Sequence, residues 1–158
     1  MVKFFQQTFS FDFPWASVTY AYLNRYPNPY ASHVLATDTL YHNVDQETGN
    51  LHIARLLLKT NSVPRWGRAI MKGNSTAYIL EEIEVDPINK VFKTKTRNIT
   101  HTRMLKVEEA QTIKASPEDP ENHTTGCNET RIVSNFGYGL NSKIESFSLS
   151  RFRNNITK

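Results

Sequence analysis

One face of the last predicted helix carries side chains that could bind an anion. Residues 140–158 contain no Gly or Pro and follow a Gly-Tyr-Gly break, so they can form one unbroken helix. At about 100° per residue, one face reads Leu140, Ile144, Phe147, Arg151, Asn155 and Lys158. Three unpaired polar groups are costly to bury, so they meet either water or an anion. A second apolar stripe at Leu149, Phe152 and Ile156 leaves both alternatives open.

Three further residues share this ambiguity. Arg25 lies at the end of a predicted short helix, where a cation can simply complement the helix dipole. His33 begins a predicted strand and Lys59 ends one, and both are common places for solvated polar residues. Periodicity alone therefore leaves open whether these three side chains form a binding site.

Residues 61–73 combine aromatic, apolar and basic side chains between a proline and a glycine. The segment predicts a short turn or helix that can lie at a lipid interface, with the cations over anionic lipids. The alternative is a loop whose tryptophan covers the core. The residues expected to touch a membrane are Pro64, Arg65, Trp66, Arg68, Ile70, Met71 and Lys72.

The motifs of several protein classes are absent. The sequence has no G-x-S-x-G, H-E-x-x-H or P-loop motif, so we expect no enzyme activity and no cofactor. The single cysteine, Cys127, excludes an intramolecular disulfide and offers no structural zinc framework. Adjacent carboxylates such as Glu81 and Glu82 face opposite sides of a strand and do not cooperate. The basic stretch 93–97 contains no aromatic residue and no RNP signature, so no nucleic-acid partner is expected.

Length and charge indicate one soluble, mildly cationic domain over residues 1–158. The chain has 19 Lys and Arg against 15 Asp and Glu, a pI of about 9.2 and a mean hydropathy of −0.51. Residues 1–73 and 128–158 each carry a net charge of +3, and the middle carries −2. The beginning of the chain has no apolar core of the kind found in signal peptides, so it is expected to be mature structure.

Period-two hydrophobicity dominates between the two ends and predicts a meander of antiparallel strands. Six strands are expected at residues 33–44, 51–60, 75–85, 91–100, 104–115 and 128–136. Another strand at 2–11 precedes the short helix, in which Pro14 takes the first helical position. Two helices cover a wide sheet poorly, so a curved sheet gripping the long last helix is expected. The space between them is either a ligand cavity or filled by side chains.

The sequence resembles the PRELI-domain family along nearly its whole length. The residues that carry the resemblance are the stretch 25–35 (RYPNPYASHVL), Asn43-Val-Asp-Gln46, Arg55-Leu-Leu57, Pro64-Arg-Trp66, Val85-Asp-Pro87, Arg97-Asn98, His101, Lys106-Val-Glu-Glu109 and 151–158 (RFRNNITK). The resemblance implies an α+β, START-like helix-grip fold. Its elements would be a curved seven-stranded antiparallel sheet, a short N-terminal helix, a short lid helix and a long C-terminal helix.

The same resemblance implies a function. Family members carry phospholipids between the two mitochondrial membranes and work in the intermembrane space with a small twin Cys-x9-Cys helical partner. Carried over by position, the headgroup-binding residues are Arg25, His33, Lys59, Arg151, Asn155 and Lys158, and the lid spans residues 61–73.

The form of the stretch 25–35 is more similar to the phosphatidic-acid branch of the family than to the phosphatidylserine branch. The implied function is therefore transfer of phosphatidic acid between the outer and inner membranes, in support of cardiolipin synthesis. A phosphatidylserine carrier and a non-shuttling module that binds a hydrophobic ligand are the alternatives. In the family the last helix continues beyond the position of Lys158, so we expect this helix to be cut short.

Overall fold

The computed structural model describes residues 2–60, 76–134 and 150. Seven strands, one α-helix and one 3-10 turn lie within these ranges. They are β1 (Val2–Phe11), α1 (Trp15–Leu23), the 3-10 turn (Pro29–Ala31), β2 (Val34–Val44), β3 (Leu51–Thr60), β4 (Thr76–Asp86), β5 (Val91–Asn98), β6 (Leu105–Ala115) and β7 (Thr124–Ser134).

The strands form one antiparallel sheet in the order β1-β7-β6-β5-β4-β3-β2. Strands β2 to β7 are a meander, as the turn sequences predict. Strand β1 pairs with β7 from Val2–Val133 to Phe11–Thr124, so β1 is the edge strand opposite β2. The expected curved seven-stranded sheet with a short N-terminal helix is confirmed. The lid and nearly all of the predicted last helix lie outside the described residues.

The first two strands lie at opposite edges of the sheet, so the segment that joins them crosses its whole width. At one end, the Thr124 hydroxyl on β7 donates to the Phe13 carbonyl at 2.7 Å. At the other, the Thr60 amide on β3 donates to the His33 carbonyl at 2.8 Å. Between these anchors α1 lies on one face of the sheet, which we call the inner face.

The core lies between α1 and the inner face. Trp15 packs with Ile83, Val85, Phe92 and Ile113, all of which are buried. These sheet residues alternate with exposed or half-buried side chains, which point to the opposite, outer face. The outer face carries charges in cross-strand pairs, such as Glu108 with Arg131 at 3.0 Å. Side chains in phase with these core residues along a strand therefore point to the inner face.

Several predicted boundaries differ from the structure, and three of them concern the ends of β5, β7 and α1. Strand β7 begins at Thr124 and not at residue 128, because the amide of Ser116 bonds the carbonyl of His123 and closes the preceding turn. Strand β5 ends at Asn98, whose side-chain amide donates to the carbonyls of Thr100 and Leu105. Pro14 is the residue before the helix and not its first position.

Candidate functional site

Polar side chains form a row across the inner face, beside the apolar core. The strand register aligns Arg55 with Glu81, Glu81 with Thr96, Thr96 with Glu109, and Glu109 with Thr130. Because all five belong to one cross-strand row, their side chains point to the same face. Glu81 and Thr130 are buried and the other three are half-buried, and a buried charge costs free energy unless it is paired. We call these five residues the polar row.

A buried ion pair joins the polar row to the segment that crosses the sheet. Arg25 Nη2 donates to Glu81 Oε1. The Glu81 side chain is 0% exposed and that of Arg25 is 26% exposed. The Arg25 Cζ atom lies 3.9 Å from the ring centroid of Tyr22 and 4.8 Å from that of Tyr26. Two aromatic rings and a carboxylate therefore hold the guanidinium in one orientation.

The ionisation of this cluster follows from its burial. Burial raises the pKa of Tyr22 to about 12, against the opposing influence of the Arg25 charge, so its phenol stays protonated at neutral pH. Burial alone would lower the pKa of Arg25, but Tyr22 and Glu81 outweigh it and leave that pKa above its ordinary value. Arg25 is therefore a permanent positive charge inside the protein.

Lys59 adds a second cation on the same face. It lies two and four residues along β3 from Leu57 and Arg55, so all three alternate onto the inner face. Burial, and then repulsion from Arg25, lowers the pKa of Lys59, while Glu109 and Glu81 act against that shift. No ion pair to Lys59 exists within 2–60 and 76–134. A bound anion would stabilise the charged form of this side chain.

Four buried polar atoms around the polar row have no hydrogen-bond partner among the residues that the structure describes. They are Glu81 Oε2, Arg25 Nε, Asn128 Oδ1 and Thr130 Oγ1. The amide nitrogen of Asn128 is engaged, because it donates to Glu109 Oε1 at 2.5 Å. Buried polar atoms are nearly always paired in proteins, so this group indicates a place for a polar ligand or ordered water.

Two grooves lie on the sheet, and neither is lined by Arg25, Glu81 or Lys59. One, of about 650 Å³, is lined mainly by outer-face residues such as Lys95 and Arg131, and also by Thr96, Glu109 and Thr130 of the polar row. The other, of about 720 Å³, lies over β1, β6 and β7 beside Cys127. Both are open to solvent, and the groove lined by Lys95 and Arg131 carries charges of both signs, whereas Glu81 and most of Arg25 are buried on the inner face. We therefore place the candidate site at Arg25 and Lys59.

Comparisons with known proteins identify the fold and the family of the chain. The solved structure entitled "Crystal structure of Ara h 8.0201" matches with a TM-score of 0.57 at 11% identity, covering 98% of this chain and 92% of that one. This likeness concerns the fold alone. The model of the PRELI-like family matches residues 16–158. The chain belongs to the PRELI-like family.

Relatives of this PRELI-like chain align over all or nearly all of its length. Protein UPS1, mitochondrial, of Saccharomyces cerevisiae is 40% identical, covering 100% of this chain and 89% of the relative. PRELI domain-containing protein 1, mitochondrial, of Homo sapiens is 36% identical, covering 100% and 72%. Protein UPS2, mitochondrial, of Saccharomyces cerevisiae is 32% identical, covering 99% and 69%.

The structure places some of the predicted site residues of the PRELI-like chain and leaves others undescribed. Arg25 and Lys59 face the same region of the inner face. His33 is exposed, and its carbonyl holds the start of β2 against the end of β3, so its side chain lies at the rim. The residues outside the described ranges are Arg151, Asn155 and Lys158, together with Pro64, Arg65, Trp66, Arg68, Ile70, Met71 and Lys72.

Sequence reasoning missed Glu81, which is the partner of Arg25. Its neighbours Glu82 and Glu84 do point to the outer face, as the strand alternation predicts. Glu81 is different because it is in phase with Ala77, Ile83 and Val85, which are buried. A carboxylate in phase with the apolar positions of a strand was the available signal for a buried charge.

Proposed function

We propose that this protein transfers phosphatidic acid between the outer and inner mitochondrial membranes and so supports cardiolipin synthesis. The observation that carries the proposal is the buried cation at Arg25, with Lys59 beside it on the same face and no ion pair to Lys59 in the described part of the chain. Fixed buried cations suit a phosphomonoester, which is small and carries more than one negative charge. The carrier acts as a single domain and performs no chemical reaction.

The energetics of lipid exchange explain why a cell would need such a carrier. Removing a diacyl lipid from a bilayer exposes roughly thirty methylene groups to water, at a cost on the order of 25 kcal/mol. A protein that offers an apolar interior keeps those groups out of water throughout transfer. Cations inside that interior replace the hydration of the headgroup, which would otherwise be lost.

The remaining parts of the proposal concern location and partners. The relatives are named mitochondrial, which supports a mitochondrial location for this chain. The family resemblance supports the intermembrane space, peripheral contact with anionic membranes and a small twin Cys-x9-Cys helical partner. Under this proposal the segment 61–73 is the lid, and Trp66 docks it on the membrane.

The proposal is tested by transfer of phosphatidic acid between liposomes. Lys59→Met is expected to reduce the rate about 10- to 100-fold, as expected for the loss of one charge-assisted hydrogen bond of about 1.5 to 3 kcal/mol. Lys95→Met is the matched control, because Lys95 is exposed on the outer face, and it should transfer normally. Equal transfer by both variants would refute the site, and no transfer by the unaltered protein would refute the function.

Phosphatidylserine is a second candidate cargo, and one observation favours it. Glu81 Oε2 and Asn128 Oδ1 have no hydrogen-bond partner among the described residues, and both are acceptors that an ammonium group could satisfy. Mass spectrometry of the lipid extracted from purified protein distinguishes the two lipids. Bound lipid without transfer would instead indicate the non-shuttling binding module.

A further inference from the structure

Glu81 has an unusual position for a residue beside an anion-binding site. It is a negative charge with 0% exposure, placed next to the cation on which the proposed function depends. An incoming phosphate would meet this carboxylate in a region from which water is excluded. Such a group must either leave Arg25 when the ligand binds or repel the ligand.

The described contacts leave Glu81 free to move away from Arg25. Oε1 bonds Arg25, and Oε2 has no partner within residues 2–60 and 76–134. In these ranges, then, Arg25 is the only hydrogen-bond partner of the carboxylate. A rotation of the Glu81 side chain would break that contact and no other described hydrogen bond.

The guanidinium of Arg25 has the opposite character, because it is held by groups that a ligand need not displace. The rings of Tyr22 and Tyr26 lie 3.9 and 4.8 Å from its Cζ atom. Hydrogen-bond acceptors approach a guanidinium along its edge, and Arg25 Nε is still unpaired in the described part of the chain. Arg25 can therefore exchange one acceptor for another without moving.

The phosphate and the Glu81 carboxylate would compete for the same cation. Among the described residues, Arg25 and Lys59 lie within electrostatic reach of Glu81 and Glu109, and Arg55 adds a further cation to the polar row. A phosphate that approached Arg25 while Glu81 still held it would bring a second negative charge against that carboxylate at low dielectric. Departure of Glu81 from Arg25 removes this repulsion.

We propose that the Glu81 carboxylate is the resident counter-ion of Arg25, which the phosphomonoester of the lipid displaces on binding and which returns to Arg25 as the lipid leaves. Glu81 then determines how fast the lipid is released, because its charge competes with the phosphate for one guanidinium. This inference rests on the proposed function, since it assigns the cargo phosphate to Arg25.

The test measures release from protein loaded with phosphatidic acid that carries a fluorescent acyl chain. The full-length protein, with its partner if the two purify together, is mixed with phosphatidylcholine vesicles in a stopped-flow instrument. Glu81→Gln keeps the shape and removes the charge, so release should slow at least tenfold. Glu81→Asp keeps the charge and should stay within threefold of the unaltered protein.

Glu82→Gln is the matched control, because it makes the same change on the adjacent residue of β4, which faces outward. It should release lipid within twofold of the unaltered protein. Release by Glu81→Gln at or above the unaltered rate would overturn the proposal. If the unaltered protein takes up no phosphatidic acid, the proposed function itself fails, and the two failures are thereby distinguished.

A second measurement needs no variant and separates the two sources of phosphate. The carboxyl ¹³C resonance of Glu81 in the unaltered protein should shift when dihexanoyl phosphatidic acid is added, because the carboxylate leaves Arg25. Inorganic phosphate at the same concentration should move it less, since it lacks the acyl chains. A resonance that stays fixed as the lipid binds would overturn the exchange, and an equal shift with inorganic phosphate would overturn its assignment to the lipid.

Discussion

The Arg25–Glu81 pair allows a quantitative test of the buried cluster, because removal of its two members should have unequal effects. Arg25→Met leaves a fully buried carboxylate without its cation, and breaking a buried pair in this way costs about 3 to 5 kcal/mol. Glu81→Met leaves Arg25 partly exposed and still beside two aromatic rings, so the cost should be about 1 to 3 kcal/mol.

The double variant provides the sharper test. With both charges replaced by apolar groups of similar length, no isolated charge remains, and such replacements are often neutral or stabilising. We expect Arg25→Met/Glu81→Met to be more stable than Arg25→Met alone by about 2 kcal/mol or more. The stability of each variant is measured by urea unfolding followed by circular dichroism, at one pH and one salt concentration.

The outer face supplies the control cycle. Glu108 and Arg131 form a cross-strand pair at 3.0 Å in which both side chains are 48% exposed. Solvent screens such a pair, so its coupling energy should be below about 1 kcal/mol. If the two cycles gave equal coupling energies, or if the effects of the Arg25 and Glu81 variants simply added, the account of a buried counter-ion would be wrong.

Three further predictions concern single positions. Burial and Arg25 lower the pKa of Lys59, so transfer should decline as the pH rises toward 10.5, the ordinary pKa of a lysine, and Lys59→Arg should abolish that decline. Over the same pH range the free energy of unfolding should rise, because the unfolded chain then binds more protons than the folded one. The unaltered protein should lose stability between pH 10 and about 12, because in that interval the phenol of Tyr22 ionises in the unfolded chain and not in the folded one. Tyr22→Phe should remove this loss, as measured by urea unfolding. Gly126→Ala should destabilise the fold by about 1 to 3 kcal/mol, because its methyl group would collide with the ring of Phe9, and adding Phe9→Leu should recover part of that loss.

The sequence predicts the sheet well because alternation and turn residues are local signals. Strands β1 and β3 have the predicted ends, and the meander follows from the short connections. The pairing of β1 with β7 joins residues more than a hundred positions apart, and no local pattern encodes it. That pairing makes β1 and β2 opposite edges, which determines the course of the segment carrying Arg25.

The site was less predictable, since its character depends on which residues meet across strands. The helix-dipole interpretation of Arg25 is not supported, because the residue lies beyond the end of α1 and bonds Glu81. Lys59 at a strand end looks like an ordinary solvated lysine until the register places it on the inner face. His33 is exposed and directly precedes β2, and its place among the headgroup-binding residues stays a prediction.

The segment between β1 and β2 is attached to the sheet near both of its edges. It is tied to β7 through Phe13 and to β3 through His33, and Arg25 lies between the two ties. A change in the curvature of the sheet would alter the distance between these two attachments, and with it the path of the segment that carries Arg25.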